Sequence, residues 1–60
     1  DYEIMLASNY IKKAEVDLEE RPSVALKHLQ NAQDIMDKFG DGAVTARIRE
    51  LKMLAESKIS

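Results

Sequence analysis

The chain has 60 residues, well below the ~100–150 of a common domain, so it holds one small domain over residues 1–60. Lys and Arg total 9 against 11 Asp and Glu, a net charge of −2, which excludes the strongly basic balance of a dedicated nucleic-acid binder. The absence of cysteine excludes disulfide staples, thiolate metal sites and a cysteine nucleophile. With 33% charged and 45% hydrophobic residues the chain is expected to fold rather than stay disordered. No apolar run approaches the ~20 residues of a membrane span. No basic start leads into an apolar stretch and a cleavage site, so the expected location is cytoplasmic. The chain opens Asp1-Tyr2 without methionine and is expected to be a fragment of a longer one.

Three structure breakers, Pro22, Gly40 and Gly42, divide the sequence into stretches of helical length. No period-2 alternation marks a strand, and Ala, Leu, Lys, Glu and Met dominate throughout. The first helix is expected from about Tyr2 to Glu19. Ile4, Ala7, Ile11, Ala14 and Leu18 are spaced three and four apart, which sets them on one stripe; Leu6 and Tyr10 widen it. Asp1 and Glu3 suit the positive N-terminal end of the helix dipole. Glu15, Asp17, Glu19 and Glu20 crowd the other end, where the dipole prefers cations, so basic residues elsewhere in the chain or on a partner are expected to offset them.

The second helix is expected to start at Pro22, where a missing N–H costs nothing. Ala25, Leu29, Ala32, Met36 and Phe39 form its stripe, flanked by Val24, Leu26 and Ile35. Gly40 fits the left-handed residue that closes a helix, and Asp41 is placed to cap the next one. The third helix is expected from about Ala43 to Lys58. Val44, Ile48, Leu51, Ala55 and Ile59 make its stripe, and Arg47, Arg49, Lys52 and Lys58 give it a basic side. Both links are short, so neighbouring helices should run antiparallel. The expected fold is all-α, an up-down-up three-helix bundle. Alanines on the stripes at 7, 14, 25, 32 and 55 allow close helix approach.

The Ala25, Leu29 and Ala32 spacing, with Tyr10 and Ala14 on the preceding helix, resembles a tetratricopeptide-like helical hairpin. The whole chain also resembles the microtubule-interacting-and-transport (MIT) domain, through Ala14, Ala25-Leu26, Ala32 and Leu54-Ala55-Glu56. Lys52 and Leu54 stand where that family's run carries leucine and arginine. Both resemblances imply TPR-like or MIT-like packing and a groove that binds peptides or partner helices. Neither implies catalysis.

The residues that could carry chemistry are few. His28 is the only histidine and falls inside the apolar face of the second helix, between Ile35 and Phe39. A phosphotransfer domain using His28 is one reading. A boundary histidine with a packed ring edge and one bonded nitrogen is the other, and it is favoured because the run after it, Leu29-Gln30-Asn31, carries no acidic or lysine residue. The acidic cluster scatters around a helix instead of lining a glycine turn, so it does not form a calcium loop. Ser8, Ser23, Ser57 and Ser60 have no base at a recognised spacing. The chain is therefore read as no enzyme, with no metal and no cofactor. The basic side of the third helix is expected to be a solvated face, and nucleic acid is not an expected partner.

One apolar feature remains. Tyr2, Met5 and Val16 lie off the main stripe of the first helix, beside Asn9, Lys12 and Lys13; Ala46 and Met53 lie off the stripe of the third. Scattered exposed apolar residues are ordinary, but so small a core gains from burial by a partner. Tyr2, Met5, Lys12, Val16, Ala46 and Met53 are thus the candidate partner-binding residues. The expected function is a protein–protein interaction (adaptor or scaffold) module that docks a peptide or partner helix in an interhelical groove. The alternative is a homo-oligomeric helical assembly domain.

Overall fold

A computed structural model describes residues 2–40 and 42–59 and shows three helices: α1 (Tyr2–Asp17), α2 (Pro22–Met36) and α3 (Gly42–Ile59). The expected capping by Asp41 and the dipole contact of Asp1 lie outside the described residues. Helix α1 stops two residues earlier than its pattern suggests. The cause is local: Pro22 pushes the preceding residue out of helical space, and Arg21 sits at φ −135, ψ 65. The Arg21 N–H still donates to the Asp17 carbonyl at 2.7 Å, closing the turn, and the Arg21 carbonyl accepts the first bond of α2 from Ala25 at 3.0 Å. Pro22 opens α2, as expected from its fixed φ.

Helix α2 ends at Met36, short of Phe39. Asp37 remains helical (φ −60, ψ −27), but the chain then tightens: Lys38 donates to Ile35 at 3.2 Å and Phe39 to Met36 at 3.0 Å, the spacing of a 3₁₀ turn. Gly40 closes it with φ 69, donating to Met36 at 2.9 Å, which is the left-handed role its position implies. Phe39, expected on the core stripe, therefore lies beyond the helix and is 40% exposed. Ile4 and Ile59, also on expected stripes, lie near the start of α1 and at the end of α3 and are exposed. Helix α3 is one residue longer at each end than its pattern suggests.

Helix α2 lies between the other two and packs along both. Ala25, Leu29, Ala32 and Met36 of α2 meet Ala7 and Ala14 of α1 and Ile48 and Leu51 of α3 in one core, and Ala55 is buried with them. Tyr10, Ile11, Leu18, Ile35 and Val44 close over its edges. The buried alanines let the helix backbones approach, while Leu29, Met36 and Ile48 are the largest side chains fully removed from water. Burying each of those three stabilises the fold by about 1.5–3 kcal/mol; an alanine methyl gives far less, so the core rests on few residues.

Helix direction follows from the side-chain pairs. Glu3, at the start of α1, lies 3.9 Å from Lys38, just past α2, while Asp17 at the end of α1 lies 3.4 Å from His28. Helices α1 and α2 are therefore antiparallel. Glu15 pairs with Arg47 and Glu19 with Lys58, both advancing in one sense, so α1 and α3 run the same way. The bundle is up-down-up. The backbones of α1 and α3 scarcely meet, and these two ion pairs span the gap.

Candidate interaction surface

The acidic end of α1 is offset from within the chain. Arg47 Nη2 stands 2.8 Å from Glu15 Oε2, Arg47 Nη1 2.7 Å from Glu50 Oε1, and Lys58 Nζ 3.3 Å from Glu19 Oε2. The hydrogen bond to Glu15, then that to Glu50, raises the Arg47 pKa above its already high ordinary value. Lys52 turns to α2 and donates to Gln33 and, at 3.0 Å, to Gln30. Three of the four cations on the basic side of α3 are thus engaged inside the fold. Arg47 and Lys58 nonetheless stay exposed and Lys52 is half-buried, so the side is a solvated face whose cations also carry partners within the fold.

The six candidate residues are all exposed: Tyr2 at 76%, Met5 at 65%, Val16 at 79% and Met53 at 70%, with Lys12 and Ala46 likewise open. Met5, Lys12 and Val16 recur at helical spacing opposite the buried Ala7 and Ala14, so they share the outward side of α1. Ala46 and Met53, seven apart, share the outward side of α3.

Two of the six are brought together with α2. Lys12, Lys13, Val16, Asp17 and His28 line a shallow hollow of about 320 Å³ where α1 meets α2. His28 is half-buried; its ring stacks on Tyr10 with centroids 6.0 Å apart and 29° between planes, and its Nε2 faces Asp17 Oδ2 at 3.4 Å. The ring thus packs at the boundary of the fold with a carboxylate beside it. Lys13 lies over the other ring of the stack, Nζ 5.8 Å from the Tyr10 centroid. That contact is at the outer limit of cation–π attraction. Tyr2, Met5, Ala46 and Met53 lie elsewhere on the surface and do not line it.

Sequence reading missed Lys13 and Asp17 as members of this site and considered His28 apart from α1. A tight link at 18–21 between antiparallel helices sets Tyr10 and His28, at similar distances on either side, face to face; Asp17, next to the link, and His28, seven residues beyond it, are not related in that way.

Among the described residues no group of three His, Asp or Glu side chains is placed to hold a metal ion. No described helix is long and apolar enough to cross a membrane. No family model, curated protein or solved structure matches this chain.

Proposed function

We propose that the protein is a TPR-like or MIT-like interaction module that binds another polypeptide, docking a peptide or partner helix against its interhelical surface as an adaptor. The carrying observation is the apolar surface left outside the core. Tyr2, Met5, Val16 and Met53 are each at least 65% exposed in a domain whose buried set is largely alanine. Single exposed apolar residues are ordinary; a strip of them on a helix whose other side is already packed is surface available to a partner. The test is selection of a random peptide library on the immobilised protein, with sedimentation run alongside. Recovery of related peptides that bind the folded protein supports the reading. Failure to recover any, with a strict monomer in sedimentation, overturns it.

A homo-oligomeric assembly is the second reading, carried by the outward strips on both terminal helices, α1 and α3. Sedimentation over a wide concentration range separates the two. A monomer at the highest concentration removes the oligomer.

A further inference from the structure

We infer that the hollow between α1 and α2 receives an acidic peptide segment, which lays one aliphatic side chain against Val16 and the lysine stems and sets its carboxylates on Lys12 and Lys13. The inference rests on the peptide-binding reading above and names the site and the ligand chemistry within it. The first observation is the hollow itself, which Val16 and the methylene stems of Lys12 and Lys13 line. Long lysine stems cover apolar surface while their ammonium groups stay in water, so the lip is greasy within and cationic at its edge.

The second observation is where the charges go. Lys38 faces Glu3, Arg47 holds Glu15 and Glu50, Lys58 holds Glu19, and Lys52 donates to Gln30 and Gln33. Among the described residues neither Lys12 nor Lys13 is ion-paired. The one carboxylate lining the hollow, Asp17, is turned to His28. The lip therefore presents two unpaired cations on a chain whose total charge is −2. That total repels an acidic ligand only weakly, since charges beyond about 8 Å are screened at physiological salt; the lysines at the lip act inside that distance. Complementary rim charge sets register and partner choice, and here it selects acids.

The experiment is selection of random peptides about a dozen residues long on the intact protein and, in parallel, on the K12Q/K13Q double variant. Both changes are at exposed positions, and circular dichroism checks that the helices persist. The expected result is enrichment of Asp and Glu around one aliphatic residue, with affinity for K12Q/K13Q reduced about fivefold to tenfold and the loss shrinking in high salt. Selected peptides without acidic bias, or an acidic bias indifferent to K12Q/K13Q, overturn the inference and leave peptide binding standing. Self-association abolished by Val16→Asp assigns the hollow to a second copy and overturns it too. Failure to select any peptide removes this inference, and with a strict monomer in sedimentation it removes the broader reading too.

Discussion

Arg47 of α3 and Glu15 of α1 meet at 2.8 Å, thirty-two residues apart in sequence. Their helices scarcely touch along the backbone. The pair, with Lys58 and Glu19 further along, is how the third helix reaches the first, and it explains why an acidic helix end persists at the wrong pole of its dipole. Both partners are near half-exposed, so the pair is a modest, screened contact rather than a clamp.

Replacing Arg47 with Gln should lower the thermal midpoint by no more than a few degrees at low salt. The difference should close in about 1 M NaCl, where the screening length falls to about 3 Å. Melting curves of wild type, R47Q, E15Q and the double variant check this. A salt-independent loss in R47Q would mean that its stem, not its charge, carries the contact.

Leu29 is fully buried at the centre of α2. Leu29→Ala should cost about 2–5 kcal/mol, comparable to the whole stability of about 3–5 kcal/mol that a single core gives a domain of this size. Far-ultraviolet circular dichroism should show a largely unfolded chain at room temperature. Met53→Ala, at an exposed position, should change urea stability by less than about 0.5 kcal/mol.

Ala32 is fully buried on α2, where the helix packs against its neighbours. Ala32→Leu inserts a branched side chain where backbones approach and should destabilise by about 1–3 kcal/mol. Urea titration reads it. A gain in stability would reveal a void beside Ala32.

The two glycines should respond oppositely. Gly40 has φ +69 with nothing within 4 Å of an added Cβ. Gly40→Ala therefore meets only backbone strain and should cost about 1 kcal/mol. Gly42 has open space and lies at the start of α3, so Gly42→Ala should stabilise by up to about 1 kcal/mol. Denaturant midpoints of the two variants compare them directly.

Much of the fold was legible because Pro22, Gly40 and Gly42 punctuate three strongly periodic stretches. The buried residues Ala7, Ala14, Ala25, Leu29, Ala32, Met36, Ile48, Leu51 and Ala55 all lie on the stripes that spacing defines. Phe39 was misplaced because periodicity continues past Met36 while the backbone tightens toward Gly40, and the pattern of side chains does not register that change. The partners of Arg47, Lys52 and Lys58 were not legible. Which flank of α3 turns to α1 and which to α2 depends on how three helices cross, and no local spacing encodes it. The outward strip of α1 could be read, since it is what the core stripe leaves over. The hollow could not, because it needs His28 and Asp17 brought together across the link.

The most direct test of the account maps where a selected peptide touches the protein, by amide chemical-shift changes on titration. The account predicts saturable shifts concentrated at Lys12, Lys13, Val16 and His28, with the buried face of α3 around Ile48 and Leu51 unmoved. Shifts confined to the Arg47–Lys58 flank of α3, or none at saturating peptide, would contradict it.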